Sequence, residues 1–305
     1  MKRGAVVAVV AAAAVVAAGV GVAVWALDRP PTPEAVAESY LRALSEGDFA
    51  GIEAVMREPL DQTERDPLEA AFAGASGYIT DYDFSVTDDG SGTKGVRADV
   101  EIAGAPGVVF FGLQSDGGEW KVADDMLGSL AVTTTLGDSV LVGGLLAFAG
   151  PPIPLLPAVY PIAASPAGVL TGSTEAVVTN EEPVRATLEA ALTAEATALA
   201  QTQLDAYAQA CAAAATAVPD DCGLKIPWAA DFASLDGIRF RIEQLPAVAL
   251  GADARTFAAT GGVIVATATG TARDGSAASV TYRADDWALR GTLRFTRDQM
   301  SLLVG

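Results

Sequence analysis

The chain has 305 residues, 19 basic and 38 acidic side chains, no histidine and a formal net charge of −19. The missing histidine removes the commonest metal ligand, the usual base of a nucleophilic triad and the simplest pH switch. The acidic surplus disfavours nucleic acid and anionic lipid as partners, and the length allows about two domains.

Ala5 to Leu27 is an uncharged, apolar run of 23 residues, preceded by Lys2 and Arg3. A spanning helix needs about 20 such residues. The basic pair favours keeping the N-terminus in the cytoplasm. The expectation is a single-pass cell-membrane protein: residues 1–27 form a cytoplasmic tip and transmembrane anchor, 28–33 a proline-bearing linker, and the rest an extracellular body. Without Lys2 and Arg3 that body carries 17 basic and 38 acidic groups, a formal charge of −21. The alternative is a signal peptide cleaved after Ala26, at the small-x-small triplet Val24-Trp25-Ala26.

Thr32 and Pro33 begin a helix, since threonine caps and proline is tolerated in the first turn. Its stripe is Val36, Tyr40 and Leu44, with Leu41 alongside, and Gly47 ends it. Asp48 caps a second helix bearing Phe49, Ile52, Val55 and Met56. A third is expected from Pro67 to Ala73. The period then shortens to two. Strands are expected over Tyr78–Val86, Val96–Ile102, Gly107–Leu113 and around Trp120 and Val122, separated by DDGSGTKG, IAGAPG and SDGG turns. Helices followed by an antiparallel meander make an α+β layer arrangement, residues 34–127.

The segment ESYLRALSEGDFAGI (Glu38 to Ile52), followed by strands ending in GEWKVAD, resembles the NTF2-like family. That family implies a curled sheet wrapped by N-terminal helices, in envelope proteins often carried behind a membrane helix. It also implies a cone-shaped cavity in which enzymes place a carboxylate. The matching candidates are Tyr40, Tyr82 and Asp99. Periodicity puts Tyr40 in the core and Asp99 on the polar phase of its strand.

Residues 129–180 read as a small β-module. Pro151, Pro152, Pro154, Pro157 and Pro161 argue against a long helix and against any central strand. Val140–Gly150 is too short to span a membrane and reads as a buried strand and turn. The phrase PLLPAVYPIAAS resembles the little β-domains of the TcaA-like envelope group, with Ala158 where glycine is usual and Pro161 interrupting the strand after Tyr160.

Residues 183–305 read as a C-terminal α+β domain. Asn180, Glu181, Glu182 and Pro183 suit a helix start. A long helix is expected from Val184 to about Val218, striped by Val184, Leu188, Leu192, Leu199, Leu204, Tyr207 and Cys211 and stopped by Pro219. Cys211 and Cys222, the only cysteines, read as a local disulfide in an exported body. A four-stranded antiparallel meander follows: Ile238–Leu245, Gly261–Gly270, Ala278–Asp285 and Trp287–Thr296, with DGS and ADD as hairpin turns. Arg239, Arg241, Arg290 and Arg294 are the candidate ligand-binding face, for a carboxylate or phosphate. The competing assignment is cross-strand pairing of arginines with Glu243 and Asp285.

No P-loop, GxSxG or zinc spacing is present, and the one G-x-G-x-x-G, Gly90 to Gly95, with Ser91 and Lys94 at S-x-x-K spacing, falls in the DDGSGTKG turn between two expected strands rather than between a strand and a helix. The acid pairs Asp88–Asp89, Asp124–Asp125, Asp220–Asp221 and Asp285–Asp286 lack calcium-loop spacing. No cofactor or metal is expected. The function expected is non-catalytic binding of a protein or cell-wall component outside the membrane. The alternatives are a carboxylate-dependent hydrolase or isomerase using an NTF2-like cavity, and a structural spacer.

Overall fold

The computed structural model describes residues 30–305 apart from 89, 91, 124 and 125. The apolar run 5–27, Asp89, Asp124 and Asp125 lie outside the described residues. Among the described residues, no helix is long and apolar enough to cross a membrane.

The fold is α+β. Helix α1, Pro33–Glu46, starts where Thr32 accepts from the Ala35 N–H and stops at Gly47, whose φ of 68° suits glycine. Helix α2, Phe49–Val55, is capped by Asp48. Helix α3, Gln62–Ala73, begins five residues before the expected Pro67, which lies inside it. The Asp61 carboxylate accepts from the N–H groups of Thr63 and Glu64, and that cap sets the start.

Strands β1 (Ile79–Asp88), β2 (Thr93–Ile102), β3 (Ala105–Asp116) and β4 (Glu119–Val122) form an antiparallel sheet in chain order. Val96, Ala98, Val100 and Ile102 turn inward, and Arg97, Asp99 and Glu101 turn to solvent. Helix α1 covers the inner face, touching β1 and β4.

The following β segments extend further than residues 129–180. Strands β5 (Gly128–Thr134), β6 (Ser139–Val142), β7 (Leu145–Phe148), β8 (Pro152–Leu155), β9 (Ala158–Ala164), β10 (Leu170–Thr171), β11 (Ser173–Val178), β12 (Val184–Leu188) and β13 (Ala191–Leu192) build sheets ordered β11-β9-β6-β7, β12-β5-β8 and β10-β13. Their core is continuous with that of the helices and first sheet. The expected strand and turn at Val140–Gly150 is the hairpin β6–β7.

Pro161 does not interrupt β9, a central strand. Its carbonyl accepts from the Gly143 N–H at 2.9 Å, beyond the last β6–β9 pair, Val142↔Ile162. The ring therefore faces the end of the hairpin, where no ladder bond is lost.

The long helix over 184–218 is corrected. Val184–Leu188 is strand β12, parallel to β5, and helix α4 spans only Ala194–Cys211. The VRATL segment alternates between half-buried or buried and exposed positions, so pairing with β5 outweighs helix propensity. Asn180 starts no helix. Its side chain accepts from the Phe110 N–H at 2.8 Å and donates to the Phe110 carbonyl, occupying the β3 edge. Thr193 is the true cap, and α4 ends before Pro219.

The C-terminal sheet is ordered β14 (Phe232–Gln244), β16 (Thr256–Ala272), β17 (Ala277–Thr296) and β18 (Gln299–Val304), with β15 (Ala247–Leu250) also paired to β16. The DGS turn joins β16 to β17. Asp285 and Asp286, expected as a hairpin turn, instead lie within β17, where the register shifts between Gly262↔Trp287 and Ile264↔Ala284. This bulge and one near Thr260 let two long strands bend. Helix α4 buries Ala196, Ala200, Leu204, Ala208 and Cys211, and Cys211 is joined to Cys222.

Candidate functional site

Two glycines fix the seat of α3 against the β segments. A Cβ on Gly74 would come within 1.8 Å of the Gly143 carbonyl oxygen, and one on Gly143 within 2.3 Å of the Ala71 oxygen. Gly143 and Gly144 have φ of 56° and 86°, as a two-residue turn between β6 and β7 requires. Beside this contact, α3 and the β segments diverge and leave a groove of about 630 Å³.

Helix α3 contributes Thr63, Glu64, Pro67 and Leu68 at helical spacing. Met56, Glu58, Pro59 and Leu60 come from the chain entering α3. Met126 and Leu127 come from the connection to β5, and Leu145, Ile153 and Pro154 from β7 and β8. Met56, Leu68, Met126 and Ile153 are buried, so the floor is apolar. The rim is acidic. Glu58 is exposed and pairs with Arg57 at 2.7 Å, and Glu64 stands exposed in the first turn of α3.

The expected cavity residues fall elsewhere. Tyr40 is fully buried, with its ring edge-on to Phe111 at 4.6 Å between centroids. Packed side chains therefore fill the space beneath the sheet around it. Tyr82 donates to Glu38 at 3.0 Å; burial, then this carboxylate, pushes its phenol pKa up. Asp99 is exposed and pairs with Arg97 at 2.8 Å. It shares a shallow outer furrow with Asp81, Asp83, Glu101 and Glu181. In the register, Asp83 faces Asp99 and Asp81 faces Glu101.

The four arginines do not converge. Arg241 and Arg283 lie in line across β14, β16 and β17, through Val265. Both bond Glu243, Arg241 at 2.8 Å, and Arg283 also holds Asp285 at 2.8 Å. This is the arginine–acid network weighed against an anion site. Arg239 is exposed two pairs along. Arg290 and Arg294 lie seven and eleven residues beyond Arg283 in β17, roughly 20 Å or more at strand rise.

No family model matches this chain, and no curated protein or solved structure matches it either. What the site can do is set by its own side chains.

Asp88, Glu243, Asp253 and Asp274 are held below the ordinary carboxylate range. The first causes are, in turn, the Gly90 N–H, Arg283, the Arg255 N–H and the Ser276 hydroxyl. None of the four lines the groove. A general acid needs the opposite displacement. Among the described residues, no group of three or more metal-ligating side chains is placed to hold a metal ion. The groove combines an apolar floor, few polar groups and small-molecule volume, the usual make-up of a binding site.

A start of α3 at Pro67 leaves Thr63 and Glu64 outside the helix, whereas the helix begins at Gln62 and carries both beside Leu68. The signal was present: Asp61 followed three residues later by Glu64 is a helix-start pattern.

Proposed function

We propose that this chain is a membrane-anchored binding protein of the cell envelope. Its body, carried outside the membrane behind residues 1–27, holds an apolar group of a protein or wall component in the groove beside α3 without transforming it. The carrying observation is the groove itself: Leu60, Leu68, Met126, Leu127 and Leu145 converge on about 630 Å³. Helices followed by a meander, on the pattern of an NTF2-like scaffold, supply the frame.

The test is photo-crosslinking in cells with benzoylphenylalanine in place of Leu60, compared with the exposed helix position Ala198. A discrete adduct at Leu60, absent at Ala198 and lost on adding Leu145→Glu, supports the proposal. Identical patterns at the two positions overturn it. Periplasm- or surface-directed thiol labelling of an engineered cysteine in the body tests its placement outside the membrane, and labelling only after lysis refutes that placement.

A further inference from the structure

Resting on that binding reading, we infer that the apolar group held in the groove carries a primary ammonium head, and that the groove discriminates against anionic ligands of the same shape.

Three observations converge. First, the charge beside the groove is negative. Glu58 and Glu64 line it and Asp61 caps the helix there, against Arg57, which pairs with Glu58. Arg65, next to Glu64 in α3, does not line the groove and is held by two other acids, with Nε to Glu53 at 2.9 Å and Nη1 to Glu69 at 2.5 Å. An anion entering here would meet two exposed rim carboxylates, whose repulsion is screened by salt and therefore greatest at low ionic strength.

Second, the groove offers acceptors. Pro67 has no N–H to give to the carbonyl of Thr63, four residues earlier in α3, and its ring crowds that carbonyl. Thr63 and Pro67 both line the groove. A carbonyl lacking its helix donor, the Thr63 hydroxyl and two carboxylates suit an ammonium, which has three N–H donors and no acceptor.

Third, the size is right. About 630 Å³ lies within the roughly 300–1,000 Å³ of small-molecule sites. Two methionines, Met56 and Met126, give an adaptable floor for a body of variable shape.

The test uses a matched pair of probes, 4-phenylbutylamine and 4-phenylbutyrate. They are titrated calorimetrically into the full chain in zwitterionic nanodiscs, with empty nanodiscs subtracted. The amine should bind at least about tenfold more tightly, as charge-assisted hydrogen bonds imply. Glu58→Gln with Glu64→Gln, both at exposed positions, should bring the two affinities within about twofold. Pro67→Ala restores the missing N–H to Thr63 and should weaken the amine alone. Equal affinities, or a preference for the carboxylate, overturn the charge selectivity and leave the apolar groove standing. Failure of both probes to bind overturns the groove as a small-ligand site and, with it, this inference.

Discussion

The indole N–H of Trp287 donates to the backbone carbonyl of Cys222 over 2.8 Å. Trp287 is 2 % exposed in the middle of β17, so the bond ties the long strand to the disulfide. The same short segment is held again by Tyr207, whose hydroxyl donates to the Asp221 carbonyl at 2.9 Å. Trp287→Phe keeps most of the apolar volume and leaves a buried carbonyl without its donor. It should lower unfolding free energy by about 1–3 kcal/mol. Paired Cys211→Ser and Cys222→Ser substitution should remove about 2–3 kcal/mol for so short a loop. Because both changes loosen residues 220–222, the combination should fall short of their sum in chemical denaturation.

Gly143 and Gly144 give a controlled pair of substitutions. Both have positive φ, so alanine strains either one. Only Gly143 also abuts backbone, while a Cβ on Gly144 meets open space. Gly144→Ala should therefore be destabilised by about 1 kcal/mol, and Gly143→Ala by about 2–3 kcal/mol as α3 is pushed from the hairpin. Thermal melts should show that order. If the two melt alike, the close approach of α3 is not a source of stability.

Local chemistry made much of this legible. Thr32 with Pro33, Gly47 and Asp48 mark helix ends that need no distant partner, and the alternation of Val96, Ala98, Val100 and Ile102 marks a half-buried strand. What failed depended on the partner. Val184–Leu188 becomes a strand because β5 lies alongside it, more than fifty residues away in sequence. Asp285 and Asp286 have turn composition, but a bulge absorbs them because β16 and β18 pair with the flanking residues. Of the site candidates, the Arg241–Glu243–Arg283 cluster was readable as alternation on paired strands. The groove was not, since Met126, Leu145 and Ile153 approach α3 only once the β segments dock.

Asp83 stands directly opposite Asp99 on β1 and β2, on the solvent face. Like charges in facing positions destabilise a sheet by roughly 0.2–1 kcal/mol, and Arg97 relieves this on the Asp99 side alone. Asp83→Asn should raise the melting temperature slightly at low salt. The gain should fade as ionic strength shortens the Debye length below about 10 Å. A gain unchanged by salt would point to strand propensity rather than repulsion.

Two glutamines on α4 seal both borders of the C-terminal sheet. Gln201 donates to the Pro246 carbonyl at 3.0 Å and accepts from the Val248 N–H at 2.8 Å. Gln203 does the same with Met300 at 2.8 Å and Leu302 at 3.0 Å. Residues two apart lie on opposite flanks of a helix, so each reaches a different edge strand. Gln203→Ala should uncover backbone on β18, cost about 1–3 kcal/mol and increase concentration-dependent association, as exposed edges do. Hydrogen exchange should quicken at Leu302 in this variant and at Val248 in Gln201→Ala. Exchange that quickens equally in both strands in either variant would mean that the edges open together.

Glu243 contributes to the acid limb, as do the other carboxylates held low, Asp88, Asp253 and Asp274. Arg283 first, and Arg241 after it, hold its carboxyl below the ordinary value of 4.5. A carboxylate with a depressed folded-state pKa binds protons more readily when unfolded. Its stabilising contribution is complete above the unfolded value and disappears as pH falls through the folded one. The affected window therefore lies below about pH 4.5. Asp253, lowered by the Arg255 N–H from 3.8, adds a second contribution further down. Glu243→Gln should flatten stability against pH below about pH 4.5, with little change in slope near neutrality. Because the network is exposed, added salt should shrink the difference between variant and parent. A parent-like acid limb in Glu243→Gln would assign that limb to other carboxylates.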